Sequence, residues 1–386
     1  MSSSQIHARL QPLNEPSQIL RRTIAEHGVI PFARFMELAL YCPQTGFYER
    51  ERDTIGRRGH FYTSVSTGSL FGELLAAQFA EWLEAEVKAR TSEVCIVEAG
   101  AHDGQLAKDI LAWIKRHRPA LFANLTYVIC EPSVCRRGWQ EPTLTEFAPR
   151  VRWFERIADA RGTVKEGRVK GVIFCNELLD AMPVRRFGWD AKRREWFEWG
   201  VTANGEAFEW ARLPGGGDVV AEAFPGLLPA ELLDVLPDEF SVEVCPAAVH
   251  WWTEAANLLE CGKLLVLDYG LTALEFFAPE RAQGTLRAYH HHKLTADVLA
   301  QPGEKDITAH VNFTALQAAG EAAGLTTDGL FTQAQFLTPI ASRIWSGGTS
   351  DSKWTSAKTR QFQTLTHPDH LGRAFRALVQ SKPAAD

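Results

Sequence analysis

Glu98, Gly100, His102 and Gly104 follow the apolar run Val94-Cys-Ile-Val97, and polar side chains close four later apolar runs in the same way: Glu131, Asp159, the pair Asn176-Glu177, and Asp268. Glycines at such a turn permit a close backbone approach to a ligand. The spacing Glu98-x-Gly100-x-His102-x-Gly104 lacks the middle glycine of common nucleotide loops, but histidine tolerates the left-handed conformation better than most residues. Two readings of the loop stand side by side: an ordinary strand-to-helix turn, and a cradle for a nucleoside-like ligand. Polar groups at five successive strand ends favour the second, because ligands of open α/β sheets bind at the carboxyl edge.

Positioning these groups requires a sheet. Val94–Val97, Leu125–Cys130, Val151–Ile157, Gly171–Cys175 and Lys263–Asp268 are apolar runs of strand length. Residues at helical spacing, such as Leu106, Ile110 and Leu111, lie between them. The predicted fold class is α/β: a doubly wound, mainly parallel Rossmann-like sheet with an N-terminal helical region and an inserted antiparallel β subdomain. Residues 1–90 read as helices and connections, with Pro31 opening one helix and another running from about Ser69 to Ala89. This region is expected to lie over the ligand edge as a lid, or to act as a stabilising cap. The core takes residues 91–184 and 246–345. Between them, 185–245 alternates polar and aromatic residues around turns at Trp189-Asp-Ala-Lys192 and Ala203-Asn-Gly205, the pattern of an antiparallel meander. Its Arg185, Arg186, Arg193, Arg194, Trp196 and Trp199 read either as packed and solvated hairpin faces or as a surface for a polymer or protein tail. A helix from about Phe313 to Ala323 precedes final strands within Leu325–Leu337, and 346–386 read as a helical tail.

At 386 residues and a formal net charge of −6, the chain can bury a large core but lacks the basic footprint of wholesale nucleic-acid binding. It has no apolar run of about eighteen residues, so no membrane insertion is expected, and its polar start has no signal-peptide apolar region. Seven cysteines without a C-x-x-C pair predict neither a disulfide framework nor a zinc site. Cys95, Cys130, Cys175 and Cys245 read as small buried hydrophobes of a reducing compartment, and the expected location is cytoplasmic. The adjacent His290, His291 and His292 cannot all face one ion from a regular element, so no metal is expected.

Several ordered motifs then converge. They are Gly59-His-Phe-Tyr-Thr-Ser64 with Phe71-Gly-Glu73, the Glu98–Gly104 loop, Glu131-Pro-Ser133, and Asn176-Glu-Leu-Leu-Asp-Ala-Met-Pro-Val184. Val242-Glu-Val-Cys-Pro246, Asp268-Tyr-Gly270, Gly284-Thr-Leu-Arg-Ala-Tyr289 and Asp306-Ile-Thr-Ala-His-Val-Asn-Phe313 complete the set. From about residue 20 to 340 the chain resembles the MidA-like class I SAM-dependent methyltransferases. The resemblance implies S-adenosyl-L-methionine (SAM) as cofactor and a protein substrate. Mitochondrial members are linked to respiratory complex I assembly and methylate an arginine of a complex I subunit, giving symmetric dimethylarginine. It also implies that the glycine turn underlies the methionine part of the cofactor, that Glu131 holds the ribose hydroxyls, and that Asp159 lies near the adenine amine. Three positions depart from the family pattern: His102 replaces a glycine, His60 an aspartate and Val65 a proline.

The cofactor of such an enzyme already carries the activated methyl group, so the protein must chiefly align the acceptor and exclude water, a contribution of roughly 7–11 kcal/mol in favourable systems. With arginine as acceptor, Asn176 and Glu177 are expected to floor its pocket. Glu177 would orient the guanidinium, with Asp180 or Asp268 as a secondary acceptor. The other reading of Glu177 is an acid that favours the dipole of the next helical segment. Glu98, Gly100, His102, Gly104, Glu131, Asp159 and Asn176 are the candidate cofactor cradle, Tyr62, Thr63 and Ser64 the candidate lid. Arg287 and Tyr289 are candidates for the acceptor channel. The alternatives are a small-molecule O- or N-methyltransferase and a SAM-binding assembly factor without turnover.

Overall fold

Apolar runs buried on both faces set the architecture. The computed structural model describes residues 15–50, 63–86, 93–163, 167–290, 293–295, 297–346 and 355–384. Strands β1 (Val94–Ala99), β2 (Leu125–Cys130), β3 (Val151–Phe154), β4 (Val169–Asn176), β5 (Leu259–Leu271), β6 (Thr326–Thr332) and β7 (Phe375–Lys382) make one sheet in the order β6-β7-β5-β4-β1-β2-β3. The first five strands pair in parallel; Val97 of β1, for example, sits between Val128 of β2 and Ile173 of β4. Parallel strands need crossovers, and the helices that supply them cover both faces. On one face, α1 (Leu70–Glu86), α2 (Gln105–His117) and the helix Gln333–Ser346 bury Phe79, Ile110 and Ile340 against Ile96 and Phe174. On the other, Trp252 of α3 (Pro246–Leu258) and Leu316 of α4 (Phe313–Ala322) pack on Val97 and Val266.

The expected α/β sheet and its inserted antiparallel meander are both present. Arg185–Asp190, Glu195–Asn204 and Ala207–Leu213 form the meander, and Ser241–Val244 closes it by pairing with residues 185–188. Its arginines are engaged within it. Arg185 Nε donates to Glu198 Oε1 at 2.9 Å, Arg194 pairs with Asp234, and the Arg186 guanidinium lies 4.9 Å from the Trp210 ring centre.

The N-terminal helices Glu15–His27 and Phe32–Tyr41 pack on the meander, and Tyr41, at the end of the second, donates to the Ala181 carbonyl of the segment after β4 at 2.9 Å. Their apolar residues Leu20, Phe32 and Phe35 pack with Val201 and Phe208 of the meander, to which Ile30–Pro31 adds a short strand. Two expectations are corrected. The final strands within Leu325–Leu337 reduce to β6, since residues 333–346 are helical. The segment read as a helical tail does contain the helix Ser356–Thr366, but it ends in β7, which lies antiparallel between β5 and β6. Val379 pairs there with Leu265 and Gly329. The short run Phe375-Arg-Ala-Leu-Val-Gln380 satisfies strand and buried-helix patterns equally, and only the open edge of β5 decides between them.

Candidate functional site

Because β5, β4, β1 and β2 are neighbours, their carboxyl ends bring Asp268, Asn176-Glu177, the Glu98–Gly104 loop and Glu131 onto one rim. The glycine loop is built as the spacing demands. Gly100, His102 and Gly104 have φ of 75°, 45° and 81°, the left-handed region that histidine tolerates at a cost and glycine without one. A Cβ on Gly100 would stand 2.9 Å from Leu178 Cδ1, so this glycine also lets the loop after β4 pack against the turn. Glu98 is buried beneath it and accepts the Tyr127 hydroxyl at 2.6 Å; burial pushes its carboxyl up to about 8.

Glu131 is 1 % exposed. Its Oε1 accepts the Ser133 N–H at 3.0 Å and faces Arg136 Nε at 3.1 Å, while Oε2 accepts Gln140 Nε2 at 3.3 Å. Burial raises its pKa, and Arg136 works against that rise. Gln140 is itself fully buried and also donates to the His102 carbonyl at 3.0 Å, tying the glycine loop to Glu131. Asp159 stands in the turn after β3, paired with the exposed Arg156 at 3.2 Å, and with Glu131 it is close enough to add to the burial that raises the Cys130 thiol.

The chain after β4 carries the densest chemistry. Glu177 has φ 52°, a strained conformation for a non-glycine residue, held by its N–H on the Leu267 carbonyl at 2.9 Å. Its Oε1 accepts the Ser64 N–H at 3.0 Å and Asn176 Nδ2 at 3.2 Å, and burial pushes its carboxyl up to about 8. Asp268 Oδ2 accepts the N–H groups of Leu178 and Leu179 at 3.2 and 2.9 Å, and Oδ1 that of Tyr269 at 2.8 Å. Asp180 has far fewer donors, and burial beside Asp268, Asp306 and Glu177 drives its carboxyl well up. Burial raises Asp268 too, to about 7, but its backbone N–H donors work against that rise, so of this pair Asp180 keeps its proton to higher pH.

Sequence reasoning placed Asp306 in a motif but gave it no role. It is buried, accepts the Tyr48 hydroxyl at 2.6 Å, and is pushed up to about 6. Arg136, Gln140 and Tyr48 were likewise missed, because nothing in helical spacing tells an inward polar residue of the site from one satisfied in the core. None of Glu177, Asp180, Asp268 and Asp306 forms an ion pair with a described residue. Thr63 and Ser64 are buried, and Ser64 Oγ donates to Gln333 at 3.1 Å, so this stretch is pinned to Glu177 and to the helix Gln333–Ser346. Tyr62, like His60 and the pair His291-His292, lies outside the described residues.

Three buried side-chain atoms on the rim have no hydrogen-bond partner among the described residues: His102 Nε2, Asn176 Oδ1 and Glu177 Oε2. Buried polar atoms are rarely left so. Together with the open backbone of the glycine turn and the buried acid Glu131, His102 Nε2 and Asn176 Oδ1 fit a polar nucleoside cofactor reaching from Glu131 to Asn176.

Comparison with known proteins agrees with this geometry. The chain is 28 % identical to the rat mitochondrial protein arginine methyltransferase NDUFAF7, over 91 % of this chain and 81 % of that one. It is 30 % identical to the human protein of the same name, over 81 % and 71 %. A crystal structure from Burkholderia thailandensis, described as a COG1565 superfamily member and likely methyl transferase bound to S-adenosyl-homocysteine, superposes with a TM-score of 0.81 at 31 % identity, covering 96 % of this chain and 92 % of that one. Residues 74–331 match the model of a family described as S-adenosyl-L-methionine-dependent methyltransferases, and this chain belongs to that family.

Proposed function

We propose that this enzyme methylates the guanidinium of an arginine in a protein. One observation carries the reading: the buried Asp180, Asp268 and Asp306 converge with the half-buried Glu177 beside the cofactor rim without a cationic partner among the described residues. A guanidinium offers five N–H donors in a fixed fork that carboxylates match. The names of the NDUFAF7 relatives, protein arginine methyltransferases, support the same acceptor. SAM supplies the activated methyl group. Glu131 would hold the ribose, the Gly100–Gly104 turn would lie under the methionine part, and Asp159 would stand near the adenine. Glu177 Oε2, buried and unpartnered among the described residues, would accept a guanidinium N–H and take up the proton that methylation releases. Asp268 and Asp180 would accept from the other edge of the fork through their carboxyl oxygens.

Glu177→Gln is expected to keep SAM affinity and lose transfer to arginine peptides by a factor of about 10² or more. Calorimetry and transfer from labelled SAM measure the two, and full transfer by the variant would remove Glu177 from this role. The family resemblance points to a subunit of respiratory complex I as acceptor. Mass spectrometry of a strain lacking the gene should then show one lost methyl-arginine. Free cysteines, five of them buried, support a reducing and hence cytoplasmic setting, which fractionation tests.

A further inference from the structure

We propose that a cavity behind the acid cluster receives an apolar side chain of the same polypeptide that presents the arginine, and so selects the sequence around it. This rests on the protein-acceptor reading above. Residues 177–184 form a partition: Glu177 and Asp180 belong to the acid cluster, whereas Leu179 and Val184 line a cavity of about 440 Å³. Its other walls include Val219 of the helix Gly217–Ala223, Val249 of α3, and Ala315 and Ala319 of α4. Ala248 of α3 and Ala315, Ala318 and Ala319 of α4 stand in its lining, and larger side chains there would close it. The lining is mostly apolar, with Glu222, Glu243, His310 and Asn312 among its polar exceptions; protein interiors otherwise pack densely, and a mostly apolar space of this volume is characteristic of binding sites.

The position of the cavity argues for its occupant. Ala309 lines it, and the Ala309 N–H donates to the Asp180 carbonyl at 2.9 Å, so one thickness of backbone separates it from the acid cluster. An isolated cation would use only the acids, and a free apolar molecule only the cavity. A polypeptide supplies both, because alternate side chains of an extended chain lie roughly 6–7 Å apart.

The test uses the full chain and synthetic peptides with one central arginine in an alanine-glycine background, with leucine placed in turn at each flanking position. Transfer from labelled SAM is expected to show kcat/KM higher by about tenfold or more for leucine than for alanine at one position. In Ala319→Trp, and independently in Val219→Trp from the opposite wall, that ratio should fall to about one, with SAM affinity and melting temperature reporting an intact fold. A preference that survives both fillings overturns the proposal. So does an equal loss on leucine and alanine peptides, which would give the cavity to packing or to a separate small molecule. Transfer to the peptides without any apolar preference sinks the subsite alone; no transfer to any peptide by SAM-binding enzyme sinks the protein-acceptor reading and the subsite with it.

Discussion

At Glu177 the backbone takes φ 52° and the carboxyl keeps its proton up to about pH 8, two costs that coincide where a guanidinium would be met. For free enzyme, kcat/KM toward an arginine peptide should therefore rise with pH through about 8, since the base must be ionised to accept the N–H. A bound guanidinium favours the carboxylate, so the ascending limb of kcat should lie at lower pH than that of kcat/KM. Superimposable profiles would argue against a carboxyl in contact with the acceptor. At Gly100 the cost runs the other way: Gly100→Ala combines φ 75° with a contact of 2.9 Å on Leu178. A loss of about 1–2 kcal/mol in stability is expected, and weaker SAM binding with it. Denaturant midpoints and calorimetry read the two.

Among the elements, β7 binds the sheet through Gln380 as well as through its apolar residues. Fully buried, Gln380 accepts the Trp252 indole N–H at 2.8 Å and donates to the Gln317 carbonyl and the Thr327 hydroxyl, both at 2.9 Å, linking α3, α4 and β6. Gln380→Ala leaves these groups without partners and should cost about 1–3 kcal/mol. The denaturant midpoint should fall while the SAM affinity of the folded fraction is kept; an unchanged midpoint would mean that water replaces the amide. Periodicity located β1, β2, β4 and β5, since four or more apolar residues bounded by turns are readable at any position. It could not place β7, whose strand character comes from the partner strands on either side of it.

For the molecule as a whole, two linkages follow. A ligand that binds only the folded state stabilises it by about 2.7 kcal/mol at a hundredfold excess over Kd. SAM should therefore raise the melting temperature, and Glu131→Gln should shrink that shift. The second linkage is with protons. Glu98, Glu177 and Asp306 ionise near 4.5, 4.5 and 3.8 when unperturbed, but keep their protons to about 8, 8 and 6 in the fold. Between those limits the folded chain binds more protons than the unfolded one, so the stability they contribute is present at the acid end and is lost as pH rises through about 6 to 8. Melting temperature should fall over that range and fall less in Glu98→Gln, which keeps an acceptor for Tyr127. A profile identical in the variant would place the effect elsewhere.

Local sequence determined the strands β1, β2, β4 and β5, the glycine turn and the polar residues that end these strands, because apolar runs and turn residues act over a few neighbours. It also determined the family, through motifs whose order survives in one dimension. Tertiary structure alone decided that Asp306, from the distant short strand Asp306–Thr308, joins Glu177 and Asp180, that Gln140 and Arg136 close around Glu131, that the N-terminal helices pack on the meander, and that the final segment enters the sheet. Each of these depends on which surfaces meet across long stretches of chain, and the pattern along any one segment is compatible with several such meetings.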